Sequence, residues 1–499
     1  MEGDLLDIAK RVAGMAQRGE QVEAYVSRNV STEVRAYNGE LEHLVSASAD
    51  GVGIRVIAGE RQGFAYTGYL SDDSIAVTLA QARENAVFAT ADPSVSMAEP
   101  DGVVAVEMDL LDSDLDSVST EAKVDLALEL ERSARHCHRQ IRQVDSADYA
   151  DVVSQEAVAN SEGIAAYSEH SYCEVSVSVI AGEGSQSQSG SGFSVARGFD
   201  GLDVEKAVGD AVHRAVRLLG AGKPATAGYT VVFDPRVTAT LLSIVSTALS
   251  GEAVTKSRSF LAGRVGEQVM VAGAFVVDDP TDVRALSADS YDAEGLASRR
   301  IVLVEDGMLL GYVYDSTSGA RAGHASTGSA VRSGFASTPV AACRAVVLSA
   351  GGGSGIGGDG HGGVASGGVA RGDHFGAVTS ARNSGTVVGN MGDGKLGQNG
   401  TSDYGAGEII SAVGDGVYVQ SVTGVHSGVN PVSGDFSVGV EGLMIRGGEL
   451  AEPIREATVA STLQRMLLSI VAIGSDVEWL PANAAGQTIA ISGMMLSGN

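Results

Sequence analysis

The chain has 499 residues, long enough to bury a sizeable core in two to four domains at a soft prior of ~150 residues each. Its 62 acidic side chains against 34 basic ones give a formal charge of -28, which disfavours nucleic-acid backbones and anionic lipid surfaces as partners. Cys137, Cys173 and Cys343 are odd in number and far apart, so a disulfide framework is not expected and a reducing compartment is. The acidic N-terminus shows no basic n-region or apolar h-region, so an export signal is not expected, and the longest strongly apolar run, around 466–473, is far shorter than the ~20 residues of a membrane helix. A soluble, cytoplasmic protein is expected.

The first 220 residues read as a duplicated unit. Helical periodicity over 5–15 is followed by alternating stretches at 22–28, 33–37 and 41–46, then by strands at 51–60 and 63–67. A second helix starts after the polar cluster 71–74, with Ile75, Leu79, Ala82 and Ala86 on one face. The same order returns as a helix over 121–138, strands within 151–182 and a helix over 204–219 closed by Gly220. The pentapeptide Val-Ile-Ala-Gly-Glu stands at the same place in both units, at 56–60 and 179–183, which predicts an internal repeat.

The segment 220–228 has the composition of a linker and sets the expected domain boundary: residues 1–220 as an N-terminal α/β domain and 221–499 as a β-rich domain with few helices. The expected class is α+β. Beyond the boundary come a strand ending at Asp234-Pro235, an apolar helix over 238–249, and strands at 269–277, 300–305, 309–314 and 345–348. Asp306-Gly307 marks a hairpin. Residues 351–400 hold 19 glycines without apolar periodicity, so an insertion over about 351–403 is expected, acting as a lid. A helix is expected at about 461–473.

Isolated candidates for chemistry are thin. Residues 355–360 spell GxGxxG, but no helix opens behind them, as a dinucleotide loop requires. Asp112, Asp114 and Asp116 imitate the start of a calcium loop, yet Ser117 and Lys123 occupy its glycine and glutamate positions. His136-Cys137-His138 diverge around a helix end, and His361 and His374 sit in the glycine-rich insertion. The stretch 424–439, GVHSGVNPVSGDFSVG, sets His426, Asn430 and Asp435 among glycines and recurring valines, reading as a turn that feeds a strand.

That stretch, with the GDGVYV run at 414–419 and Ile473-Gly-Ser-Asp476, resembles the TldD/PmbA family, whose non-metal subunit is also called TldE. Residues 257–266, Asp278-Asp-Pro280, Asp292-Ala-Glu-Gly295 and the Asn160-Ser-Glu-Gly163 turn agree with the family's order. The resemblance covers nearly the whole chain outside about 351–403. It implies a dimer enclosing a peptide-processing chamber, in which a TldD-like subunit carries zinc on an HExxxH helix and a downstream cysteine.

Here Leu242 and Thr247 stand in place of the two histidines and Ser243 in place of the glutamate, and residues 477–486 contain no cysteine. A zinc peptidase needs about three protein ligands and a base beside the bound water, and leucine supplies neither. The resemblance therefore implies the non-metal subunit: no catalytic residue and no cofactor in this chain, zinc in an HExxxH-bearing partner, and unfolded or leader peptide as substrate. It offers His426, Asn430 and Asp435 as contacts to substrate or partner. Where the family tends to read Ala-Gly-Asn-Leu, this chain has Ala460-Ser-Thr-Leu463. Two alternatives stay open: a self-sufficient peptidase with a relocated metal site, and a peptide-binding protein without a protease partner.

Overall fold

The computed structural model describes residues 2–351 and 404–498. Residues 355–360, His361, His374 and nearly all of the expected lid lie outside them.

The fold is α+β, and its N-terminal half is built on the repeat. The first unit runs α1 (Glu2–Ala13), β1 (Glu20–Tyr37), β2 (Glu40–Ala58), β3 (Arg61–Thr67) and α2 (Asp72–Phe88). The second runs α3 (Thr120–Cys137), β4 (Ile141–Asn160), β5 (Ala165–Ala181), β6 (Gln188–Ala196) and α4 (Val204–Val216). They form one antiparallel sheet in the order β3-β2-β1-β4-β5-β6, which is symmetric about the β1–β4 pair. The shared pentapeptide ends β2 in one unit and β5 in the other, with Gly59 and Gly182 in left-handed conformation just beyond each strand.

Each unit packs its closing helix onto its last strand through glycine. A Cβ on Gly63 of β3 would stand 1.9 Å from the Ala82 carbonyl of α2, and one on Gly192 of β6 would stand 2.0 Å from the Ala207 carbonyl of α4. The helices are fixed at their ends by Ser71, Ser119 and Asp203, which accept from Ser74, Ala122 and Lys206 backbone N–H groups. Ile75, Leu79, Ala82 and Ala86 are all buried, as the periodicity predicts.

Two pairs of strands expected from the sequence are each a single strand. The separate strands expected at 22–28 and 33–37 form a single strand, β1, and those at 41–46 and 51–60 form β2. β1 lies between β2 and β4, so ladder bonds on both sides carry it through the polar run Asn29-Val-Ser-Thr-Glu33, where hydrophobic alternation fails.

The C-terminal half begins with β7 (Ala227–Phe233), α5 (Pro235–Ala248) and α6 (Gly251–Thr255). A small sheet follows, built from β8 (Ala274–Asp278), β9 (Ile301–Glu305), β10 (Met308–Leu309) and, after α7 (Ser316–Ala322) and the two-stranded β11 (Ala330–Val331) and β12 (Val340–Ala341), β13 (Val346–Ala350). Asp306 and Gly307, both with positive φ, make the predicted β9–β10 hairpin turn.

After α8 (Ala406–Val413) come β14 (Gly416–Thr423), α9 (Val425–Gly428), β15 (Asp435–Arg446), β16 (Glu449–Thr462), α10 (Leu463–Leu468), β17 (Ile470–Ile473) and β18 (Ile489–Ser497). Their sheet order is β16-β15-β14-β7-β18-β17, and β16 also pairs with β18, so five strands close on themselves. The helix expected at about 461–473 is shorter: Thr462 caps α10, and Ile470 already pairs with Ile491 of β18. The strand expected over 309–314 is limited to β10, and that over 269–277 starts at Ala274.

Candidate functional site

α5 is the helix on which the resemblance would place zinc ligands. It starts three residues earlier than the sequence reading has it, because Asp234 acts as N-cap and Pro235 takes the first turn, where its missing N–H costs nothing. Asp234 is buried and accepts from the Arg236 backbone N–H at 3.0 Å, Arg214 of α4 at 2.9 Å and the Tyr418 hydroxyl at 2.7 Å. Burial and the adjacent Asp234 push the Tyr418 phenol above its ordinary pKa. One carboxylate thus ties α4, α5 and β14 together.

The three substituted positions do not share an environment. At 3.6 residues per turn, positions five apart point about 140° away from each other. Leu242 is 1% exposed in the main core, which also holds Val245, Phe436 and Val438, whereas Thr247 is exposed. Ser243 lies between them, and its Oγ donates to Asn483 Oδ1 at 2.7 Å. Asn483 Nδ2 donates in turn to Ser246 Oγ at 2.9 Å, and Ser246 Oγ to the Ser243 carbonyl at 2.7 Å. Thr247 Oγ1 donates to the same carbonyl at 3.1 Å. A buried alkyl chain and mutually bonded neutral groups offer no imidazole, carboxylate or thiolate, so these residues do not fit zinc. Asn483 sits in the segment where the resemblance places a cysteine.

The stretch 424–439 is a locked turn. Gly424 adopts positive φ before α9, and a Cβ on Gly428 would stand 1.9 Å from the Ser437 carbonyl. Asn430 Oδ1 accepts from the backbone N–H groups of Val432 at 2.9 Å and Ser433 at 3.3 Å, while Asp435 accepts from Ser433 Oγ at 2.7 Å. Phe260 N–H donates to the Pro431 carbonyl and Leu463 N–H to that of Gly434, anchoring the turn to its surroundings. Asn430 and Asp435 are thus brought together, both exposed, and His426 is exposed on α9. Leu242 of α5 and Phe436 of β15 both lie in the large hydrophobic core of the C-terminal half.

The other sequence candidates are local. His136 Nδ1 bonds the Arg132 carbonyl, and His138 Nδ1 accepts from Gln140 N–H. Asp112 Oδ1 accepts from Asp114 N–H within the acidic run. No cluster of three or more metal-ligating side chains occurs among the described residues.

Sequence reasoning missed a buried charge cluster between the two halves. Glu23 of β1 and Arg55 of β2 are cross-strand partners, bonded at 2.7 Å and 3.1 Å. Arg55 also reaches Glu294 at 3.2 Å, and Arg332 bonds Glu23. Glu294 accepts further from the Ser316 backbone N–H and hydroxyl. All four charged side chains are at most 2% exposed. Burial works to raise Glu23, but Arg332 and Arg55 outweigh it and hold this carboxyl below its ordinary range. For Glu294 burial prevails, helped by nearby Asp292 and Asp315 against Arg55, and the carboxyl is pushed up to about 7. The only sequence hint was Asp292-Ala-Glu-Gly295. Asp292 itself accepts from the Glu294, Leu296 and Ala330 backbone N–H groups.

Known proteins place this arrangement. Residues 22–86 match PmbA/TldA metallopeptidase domain 1, 113–219 its central domain, and 226–355 with 360–498 its C-terminal domain. The chain is 24% identical over 482 residues to a Haemophilus influenzae protein named metalloprotease PmbA homolog, covering 96% of this chain and 93% of that one. It is 28% identical over 302 residues to the metalloprotease TldD homolog of the same organism, covering 58% and 62%. The crystal structure of TldE from Thermococcus kodakarensis superposes with a TM-score of 0.79 at 20% identity, covering 99% of both chains. The chain belongs to the PmbA/TldD metallopeptidase family.

Proposed function

We propose that this chain is the non-catalytic partner subunit of a TldD/TldE-type zinc metalloprotease complex in the cytoplasm. The observation that carries the reading is α5, where Leu242 is core and Ser243 and Thr247 are spent on internal hydrogen bonds. A TldD-like, HExxxH-bearing subunit would supply zinc, its activated water and the base. This chain would complete the chamber and hold unfolded or leader peptide in extended form, through backbone bonds with little sequence preference. His426 is proposed to face substrate or partner; Asn430 and Asp435 would shape the turn that presents it. No helix among the described residues is long and apolar enough to cross a membrane.

Co-expression with an HExxxH-bearing paralogue tests the reading. A mixed complex that cleaves an unfolded peptide, while this chain alone does not, supports it. Recovery of this chain only with itself in the presence of that paralogue overturns it.

A further inference from the structure

The repeat sets two glutamates at equivalent positions and gives them different surroundings. With the pentapeptides superposed at 56–60 and 179–183, Val45 of β2 falls against Ser168 of β5, and their cross-strand partners are Glu33 of β1 and Glu156 of β4. Glu33 is exposed. Glu156 instead lines a cleft of about 150 Å³ between the N-terminal sheet and residues 286–289 of the C-terminal half.

A second carboxylate, Asp289, acts on Glu156 from the C-terminal side of this cleft. The two arginines of the cleft are engaged elsewhere. Arg332 bonds Glu23 and the carbonyls of Ala293 and Ser337, and Arg344 donates to the carbonyls of Tyr291 and Gly328 and to Ser298 Oγ. Asp292, also in the wall, is taken up by three backbone N–H groups. Asp289 accepts from the Tyr291 backbone N–H at 3.0 Å, and Glu156 accepts from the Tyr25 hydroxyl of β1. Carboxylates from opposite halves thus share one cleft, and among the described residues no guanidinium is bonded to either.

Two carboxylates at one water-poor site repel when both are ionised, and a proton held on either removes the repulsion. Burial, helped by Asp289, lifts the Glu156 carboxyl above its ordinary 4.5 against the pull of the Tyr25 hydroxyl, His170 of β5 and Arg332. The Tyr25 phenol is itself pushed far up by burial and by Glu156, so it keeps its proton. A proton on His170, which lines the same cleft, is drawn to both carboxylates, and its loss acts in the same direction as ionising Glu156. With the folded value above the unfolded one, the contact is complete below 4.5 and weakens as pH rises through the folded value. Arg197 acts on Asp289 and donates to the Ala285 carbonyl at 2.7 Å, which tethers the 285 end of the segment while its 289 end meets the repulsion.

We infer that this cleft is a proton-operated contact between the two halves of the chain, closed while Glu156 or Asp289 holds a proton and loosened once both carboxylates are ionised. The contact needs neither zinc nor a paralogous subunit, so it stands or falls apart from the function proposed above. A natural reporter adjoins it. Trp479, the single tryptophan of the chain, packs against a cluster of Leu110 from the connector ahead of α3, Ala285 and Ala288 from the segment bounding the cleft, and Ala345.

Acrylamide quenching of Trp479 in the full-length chain tests it, between about pH 5.5 and about pH 8 and so clear of the isoelectric point near 4.6. The wild-type quenching constant is expected to rise about two-fold across this range with unchanged circular dichroism. E156Q and D289N each leave a single ionisable carboxyl of the pair, and both are expected to keep the low value throughout. E33Q, at the equivalent exposed position, and E294Q, in the neighbouring buried cluster, are expected to rise as the wild type does. Flat quenching in the wild type overturns the inference. So does a rise that survives in E156Q or D289N, or one that E33Q or E294Q abolishes as fully. Should one variant of the Glu156–Asp289 pair lose its circular dichroism, the other decides.

Discussion

Ser243 on α5 and Asn483, 240 residues later, are joined by a 2.7 Å hydrogen bond at the place where the family resemblance puts a glutamate and a cysteine-bearing segment. The same Asn483 amide donates to Ser246, so two positions of the helix hang on one side chain. A neutral side-chain bond of this kind contributes about 1 kcal/mol, and leaving a half-buried partner unmade costs about 1–3 kcal/mol. Asn483→Ala is therefore expected to lower unfolding free energy by about 1–3 kcal/mol in urea titration. Ser243→Ala should cost less, and the double variant less than the sum. Additive losses would mean that the two residues act separately.

Rebuilding the zinc motif should fail unevenly. Leu242→His removes a fully buried alkyl chain and inserts a polar ring into the core, with an expected loss of about 2–5 kcal/mol. Thr247→His lies at an exposed position and should change stability by no more than about 0.5 kcal/mol. Thermal melts of the two single variants separate these outcomes, and equal effects would contradict the placement of Leu242.

The repeat makes a matched prediction. Gly63→Ala and Gly192→Ala each force a methyl group against a helix carbonyl, at 1.9 Å and 2.0 Å before relaxation. Overpacking of this kind costs about 1–3 kcal/mol, and the two losses should be similar. Gly102→Ala, where a Cβ meets nothing within 4 Å, controls for space though not for its positive φ.

Breaking the buried cluster should loosen the contact between the halves. Arg55→Ala leaves the carboxylates of Glu23 and Glu294 short of a partner, and the expected loss is about 3–5 kcal/mol. Limited proteolysis across the segment between α4 and β7 should quicken in parallel with the loss in a denaturation curve.

The cluster also sets a pH dependence. The folded Glu294 carboxyl, pushed up to about 7, holds its proton more tightly than the unfolded one at its ordinary 4.5. Its contribution is therefore intact below 4.5 and declines as pH rises towards 7. Glu23 runs oppositely: its folded pKa is lowered, so its contribution is present above the unfolded value and lost as pH falls through the folded one. Compared with wild type, Glu294→Gln should gain relative stability as pH rises from 4.5 to 7, read from urea midpoints. A pH-independent difference would contradict the buried, raised carboxyl.

Much of the fold was legible because its signals are local. The repeated pentapeptide and the returning order of helix, strands and helix give the symmetric sheet, and Ile75, Leu79, Ala82 and Ala86 on one face give α2, whose first turn takes in the polar residues 72–74 read as preceding it. What was hidden depends on contacts distant in sequence. The polar middle of β1 stays in the strand because β2 and β4 flank it, which no alternation within residues 29–33 could reveal. Arg332 lies 309 residues from Glu23, so their pairing leaves no periodic trace. At the candidate site, the identities of Leu242, Ser243 and Thr247 were readable in sequence, whereas the Ser243–Asn483 bond and the burial of Leu242 needed the packed core. Asp234-Pro235 carried a usable signal: read as the first turn of a helix instead of the end of a strand, it gives the correct start of α5.

The central claim, that this chain works without metal beside a zinc-bearing partner, is tested most directly by metal analysis and peptidase assay of the purified chain with and without an HExxxH-bearing paralogue. The chain alone is expected to hold no stoichiometric zinc and to leave an unfolded peptide intact, with hydrolysis once the paralogue is added. Stoichiometric zinc with hydrolysis in the isolated chain would contradict it.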